Sequence, residues 1–195
     1  KMICPPGVFD AAGALFYRNA ANGAFMFTSR YRLSDSESLF QTASMYPDVF
    51  KPRPAESHKG TYGTLAVIGG AEGMSGAVVL AATVAAYAGC GKVWAGFNQR
   101  QLPFAVIDGR PEIMLATAQN LLLRNDADAR AVGCGLGLGE AASGIVAAAL
   151  SEADGKPLLL DADALTLLSR SSELQRLAAR HGNLILTPHP AEAAR

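Results

Sequence analysis

Two glycine-rich stretches, a pair of aspartates and a proline-flanked histidine are the residues of this sequence best equipped for chemistry. Gly69, Gly70, Gly73 and Gly76 follow a continuously apolar run, residues 65–68, and lead into an alanine-rich, helix-favouring segment with Ser75 as its expected N-cap. Strand, glycine turn and helix in this order build anion and nucleotide sites. Backbone N–H groups point outward at a helix start, and glycine lets a ligand approach them. The same order also serves as a tight connection in a buried βα unit with no ligand, and this stretch alone leaves both readings open. Gly133-Cys134-Gly135-Leu136-Gly137-Leu138-Gly139 repeats the arrangement further along. It does not complete the dinucleotide fingerprint Gly-x-Gly-x-x-Gly, and the chain has no phosphate-loop lysine followed by Ser or Thr.

Asp161 and Asp163 follow another apolar run. Such a pair can hold Mg²⁺ through water, as magnesium is held beside phosphates. Alternatively Asp161 caps the next helix and Asp163 faces solvent, and at least one of the two is expected to cap. His189 lies between Pro188 and Pro190, which stiffen the backbone around an imidazole that can donate, accept and stack. A purely structural histidine fits the spacing as well. His58 and Lys59 precede Gly60 and are either phosphate contacts or part of a solvated loop. No nucleophile elbow with a Ser-His-Asp order appears, and no Cys/His cluster suggests zinc, so no metal ligands are assigned.

These residues need elements to position them. Strands are expected at residues 65–68, 92–97, 113–115, 128–133, 157–160 and 184–186, with helices at 75–88, 141–153, 165–168 and 174–179. Residues 101–107 read as a short helix or loop. Short apolar strands alternating with helical segments indicate an α/β protein, a parallel sheet with helices on both faces. Ligands of such sheets sit beyond the carboxyl ends of the strands. The loops at Gly69-Gly70, 133–137, 161–163 and 187–189 all lie there, which favours a nucleotide-like ligand more than any one motif does.

Upstream, Pro47, Pro52 and Pro54 make residues 46–54 an extended approach. Residues 1–45 show no sustained period, apart from a possible helix start at 10–14, and read as an arm or appended segment. Residues 46–195 read as the N-terminal portion of a domain.

Composition narrows the function classes. Half of the 195 residues are hydrophobic, 17% are charged and the formal net charge is zero. No basic stripe stands out and aromatics are 7% of the chain, so nucleic acid is not an expected partner. The three cysteines include no Cys-x-x-Cys pair, which fits a reduced, cytoplasmic setting better than a disulfide scaffold. No apolar run is long enough to suggest a membrane span.

The motifs, taken in order, resemble a known family. Tyr46-Pro47-x-x-Phe50-x-Pro52-Arg53, Ser57-His58-Lys59-Gly60-x-x-Gly63, Ile68-Gly69-Gly70-x-x-Gly73-Met74-x-Gly76-Ala77, Gly133-x-Gly135-Leu136-Gly137, Leu160-Asp161-Ala162-Asp163-Ala164-Leu165 and Leu186-Thr187-Pro188-His189-Pro190-x-Glu192 together look like the ADP/ATP-dependent NAD(P)H-hydrate dehydratases. The resemblance implies a ribokinase-like, three-layer αβα fold with a mainly parallel sheet, here a partial domain. It implies a lyase that repairs the S form of hydrated NADH or NADPH by removing water, coupled to ADP or ATP hydrolysis with Mg²⁺. The expected route is phosphorylation of the hydroxyl followed by elimination. It carries substrate contacts over to Ala77, Gly135 and His189, with His58, Lys59, Gly76, Asp161 and Asp163 as further substrate or phosphate contacts. Many members have proline at the position of Cys134 and glycine at that of Ala191. The family's catalytic aspartate belongs to a Gly-Thr-Gly-Asp segment, which these residues lack and which is expected after Arg195. The resemblance also implies a homo-oligomer.

Two other classes stay open at this point. A vitamin or sugar kinase of the same fold would use the same glycine turns. A non-catalytic dinucleotide-binding fragment would expose an edge strand and apolar helix faces, and would associate or aggregate.

Overall fold

The computed structural model describes residues 52–152 and 155–194, together with 44–45 and two short strands, β1 (Leu15–Arg18) and β2 (Phe25–Thr28). These two strands pair antiparallel, Leu15 opposite Thr28, within the segment read as an arm. The helix start considered at 10–14 lies outside the described residues.

The main body is an open sheet built from β3 (Thr64–Gly69), β4 (Lys92–Phe97), β5 (Met114–Thr117), β6 (Ala129–Val132), β7 (Leu158–Leu160) and β8 (Leu184–Leu186). Its spatial order is β5-β4-β3-β6-β7-β8, and every pairing in it is parallel. The expected parallel α/β sheet is present. Each strand boundary falls close to the sequence reading, because short apolar runs bounded by turns are the mark of strands covered on both faces.

Side chains alternate across the sheet. On β3, Ala66 and Ile68 join one core with Val132, Leu160 and Leu121, while Val67 joins the other with Val78, Ala95 and Phe97. The first core is covered by α2 (Ala118–Leu122), α3 (Glu140–Ser151), α4 (Asp163–Arg170) and α5 (Ser172–Arg180). The second is covered by α1 (Ser75–Tyr87) and by Phe104, Ile107 and Ile113 from the loop between β4 and β5. This is the three-layer αβα arrangement.

Helix α2 is absent from the sequence reading. Its five residues offer too few turns for a period, and it forms because Thr117 accepts from Asn120 N–H and Leu121 is fully buried. Residues 101–107 form a loop, the second of the two expected alternatives. Ser75 is not an N-cap: α1 begins at Ser75, the cap position is Met74, and no side chain closes the helix end.

Chain order sets the most consequential feature. From β3 the chain runs outward through β4 to β5; it then returns to β6 beside β3 and runs outward the other way through β7 to β8. The direction of winding therefore reverses between β3 and β6. At such a switch point the two flanking loops part to opposite faces and leave a crevice at the carboxyl edge.

Candidate active site

The two glycine stretches meet in that crevice. β3 ends at Gly69 and β6 ends at Val132, side by side. Past the ends of the strands the ladder continues: Gly133 N–H donates to Ile68 O (2.9 Å), Gly70 N–H to Cys134 O (3.0 Å) and Ala71 N–H to Gly135 O (2.7 Å). This closeness explains the glycines. A Cβ on Gly69 would overlap the Cys134 carbonyl oxygen, and one on Gly133 the Asp161 carbonyl oxygen. Gly135 has φ of 60°, and its missing Cβ would stand 2.9 Å from Met74 Cβ and 3.2 Å from Ala77 Cβ. Nothing stands within 4 Å of a Cβ built on Gly76. The first turn of α1 thus lines one wall, and the turn at 133–139 the other.

Ala77 and Gly135, inferred from separate motifs, are therefore neighbours. Gly76 sits next to them on the exposed side of α1. Asp161 and Asp163 are at the same edge, after β7, where Asp161 N–H donates to Val132 O (3.1 Å). Asp163 is the first residue of α4, and its Oδ2 accepts from Gly137 N–H at 2.8 Å. Neither aspartate is the side-chain cap of α4. The cap position is Ala162, held at φ 48° and ψ −117°, the single positive φ outside glycine among the described residues. Such a conformation stores about 1–3 kcal/mol and persists where the surroundings over-determine it.

His189 also lies at the carboxyl edge, beyond β8, with β7 between it and the β6 turn. It starts the short helix α6 (Pro190–Ala193). Its Nδ1 accepts from Ala191 N–H (3.1 Å), and the Glu192 carboxylate accepts from His189 N–H (3.0 Å). Nδ1 is therefore occupied, while Nε2 lies 3.4 Å from Glu192 Oε1 on a side chain that is 62% exposed. The rigid presentation expected from the flanking prolines is supplied by this capping box.

His58 and Lys59 are placed differently. They open the 3-10 turn Lys59–Tyr62 that precedes β3, so they lie at the amino end of the sheet. The glycine turns lie at the other end of a six-residue strand, about 20 Å away at the usual rise. His58 Nδ1 accepts from Gly60 N–H at 3.1 Å and shapes that turn. The structure does not bring these two residues to the crevice.

Two site residues escaped the sequence reading. β4 ends beside the crevice in Asn98 and Gln99. Asn98 N–H donates to Gly69 O (2.7 Å) and its Nδ2 to Leu136 O (2.9 Å). Gln99 Nε2 donates to Gly70 O and to Ser75 Oγ, both at 2.8 Å. Their signal was only that polar residues follow an apolar strand, and most loops share it.

The electrostatics of the crevice keep its cysteine inert. Burial pushes the Cys134 thiol up to about 11, and the nearby carboxylates Asp161 and Asp163 add to the shift. Among the described residues no three His, Cys, Asp or Glu side chains gather to hold a metal ion. Magnesium bound beside phosphates keeps several waters and needs one or two carboxylates. Asp161 and Asp163 are two carboxylates at this edge, and one oxygen of Asp163 is already engaged by Gly137.

Known proteins are similar to this chain. A family model described as NAD(P)H-hydrate dehydratase matches residues 65–195. The chain is 63% identical over 157 residues to the ADP-dependent (S)-NAD(P)H-hydrate dehydratase of Neisseria meningitidis serogroup B, an alignment covering 80% of this chain and 53% of that protein. It is 35% identical to the enzyme of the same name from Lactiplantibacillus plantarum, over 72% of this chain and 50% of the relative. Among solved structures, the ADP/ATP-dependent NAD(P)H-hydrate dehydratase of Bacillus subtilis, co-crystallised with ATP/Mg²⁺, superposes with a TM-score of 0.63 at 32% identity, covering 78% of this chain and 53% of that one. The chain spans about half the length of these relatives. With the family model matching well over half of its residues, and with this sheet order and these two glycine turns, the chain belongs to the NAD(P)H-hydrate dehydratase family and has its ribokinase-like αβα fold.

Proposed function

We propose that the protein carrying this chain dehydrates the S form of hydrated NADH or NADPH back to the reduced cofactor, driven by ADP or ATP, and that these residues supply the substrate side of the site. The observation that carries the reading is the meeting of the two glycine turns, at Gly69–Ala77 and Gly133–Gly139, at the switch point of the sheet. The relatives named above support the choice of ligand.

In this reading the dinucleotide lies over the seam where Ala77 meets Gly135, outside the carboxyl ends of β3 and β6. The absence of a side chain at Gly76, where a Cβ would meet open space, lets its sugar or pyrophosphate reach the backbone, while the missing Cβ of Gly135 lets the two turns meet. His189 Nε2 is the imidazole atom turned to a ligand, since Nδ1 is occupied by Ala191 N–H. Asp161 and Asp163 would be the residues of this edge to hold a magnesium ion through water, and such an ion would supply neutralisation of phosphate charge.

The hydroxyl of the hydrated ring is a poor leaving group in water. Transfer of a phosphoryl group to its oxygen makes phosphate the group that departs. Loss of a ring proton and of phosphate then restores the double bond. The base for the first step is expected from the Gly-Thr-Gly-Asp aspartate outside this sequence.

The test is recovery of the NADH absorbance band when the natural full-length protein meets hydrated NADH, ADP or ATP, and Mg²⁺. One phosphate released per NADH restored is the expected result. Transfer of phosphate to a stable, isolable product would instead establish a small-molecule kinase.

A further inference from the structure

We propose that Asn98 and Asp163 are positioning residues, which clamp the Gly133–Gly139 turn from its two sides and thereby set the affinity of the site for the dinucleotide. This rests on the reading of that turn as the substrate wall. Gly133, Gly135 and Gly137 all have positive φ, at 133°, 60° and 84°. Three glycines so close together leave the unfolded turn many alternatives, so its shape must be imposed from outside. The bonds to Ile68, Gly70 and Ala71, the bond from Leu136 N–H to Gly133 O and the buried Leu136 side chain hold its first half, and the Asn98 and Asp163 side chains hold Leu136 O and Gly137 N–H.

The two clamps come from strands on opposite sides of β6. From the β4 side, the Asn98 side-chain amide donates to Leu136 O at 2.9 Å, and its backbone N–H holds Gly69 O at 2.7 Å. One residue therefore ties both glycine turns together. From the β7 side, Asp163 Oδ2 accepts from Gly137 N–H at 2.8 Å. A bond from an amide to a carboxylate is about twice as strong as a neutral one. Asp163 reaches this position because α4 starts directly after Ala162, whose φ of 48° turns the chain sharply. The strained residue and the clamp are one device.

The geometry separates this role from direct contact. If Asp163 acted by its charge on the ligand or on magnesium, Asp163→Asn would behave like Asp163→Ala. If it acts by accepting from Gly137 N–H, the asparagine amide oxygen replaces the carboxylate oxygen and rescues the function.

Steady-state kinetics of the natural full-length protein test this, with amide hydrogen exchange at Gly137 measured alongside. Asp163→Ala is expected to raise KM for hydrated NADH about tenfold or more, the loss of one charge-assisted hydrogen bond, and to leave KM for ADP unchanged. Asp163→Asn is expected to restore most of the affinity. Asn98→Asp, which keeps the shape and removes the donor, is expected to raise the same KM. Partial unfolding would lower the amount of active enzyme and leave KM alone, so the KM change is not a mark of lost stability. Gly137 N–H should exchange slowly in the wild type and in Asp163→Asn, and fast in Asp163→Ala. An unchanged KM in Asp163→Ala, or an Asp163→Asn as impaired as the alanine variant, overturns the proposal while the dehydratase reading stands. A wild type that restores no NADH overturns the reading itself; slow Gly137 exchange in Asp163→Ala would then refute the clamp as well.

Discussion

Gly135 lies against Ala77, with room between them for no more than a hydrogen: a methyl group on Gly135 would stand 3.2 Å from Ala77 Cβ and 2.9 Å from Met74 Cβ. The two walls of the crevice touch at this point. Gly135→Ala combines that crowding with a φ of 60°, which a side chain tolerates poorly. The expected cost is about 1–3 kcal/mol of stability by urea titration. KM for the hydrated cofactor should rise as the turn is displaced. An alanine variant with unchanged stability and KM would show that the turn has freedom the contacts deny it.

Cys134 gives the crevice a pH signature. An unfolded thiol ionises near pH 8.5, whereas the folded one stays protonated until about 11. Between these values the unfolded state binds fewer protons, so stability falls as pH rises. It is full below the unfolded value and is lost through the folded one, a change on the order of 2 kcal/mol. Urea unfolding at pH 8 and again at a pH of about 10.5 should show this loss in the wild type and a smaller one in Cys134→Ala. Equal losses in both would assign the effect to other groups.

Ala162 carries strain that glycine would release. Removing a backbone conflict of about 1–3 kcal/mol exceeds the entropy that glycine adds to the unfolded chain, about 0.5–1 kcal/mol. Ala162→Gly is expected to be more stable by about 1 kcal/mol. Ala162→Val, with a branched Cβ, should be less stable than the wild type. A destabilised glycine variant would mean that the surroundings relieve the conformation already.

Helix α1 predicts association. Its residues are apolar on every side, yet Leu80, Val84 and Tyr87 form a stripe that is 70%, 65% and 72% exposed. A helix apolar all round is normally covered on both sides. Light scattering of the 195-residue chain should therefore show oligomers, and Leu80→Glu with Val84→Lys should reduce them. A monodisperse monomer in the wild type would contradict this.

Much of the scaffold was legible because its signals are local. An apolar run such as residues 65–68 between polar turns is a covered strand wherever it occurs, and the alanine-rich segment after it can be little but a helix. The glycines at 69, 133 and 135 were legible as positions where the chain passes close to something, though not what it passes. Helix α2 was not legible, since its single buried leucine and one cap make no periodic pattern. Asn98 and Gln99 were invisible because a hydrogen bond to a carbonyl on another strand leaves no trace in spacing.

By itself, then, the sequence determined the class of fold, the ends of its strands and the family, since these depend on residue type, period and ordered motifs. The tertiary structure decided which of those ends share a crevice. Parallel pairing of β3 with β6 brings Ala77 against Gly135 and sends His58 and Lys59 to the far end of the same strand. It also gave Asp163 a partner that no motif displays, the N–H of Gly137. Neighbours across a sheet are fixed by strand order, and strand order is settled by the packing of the whole body.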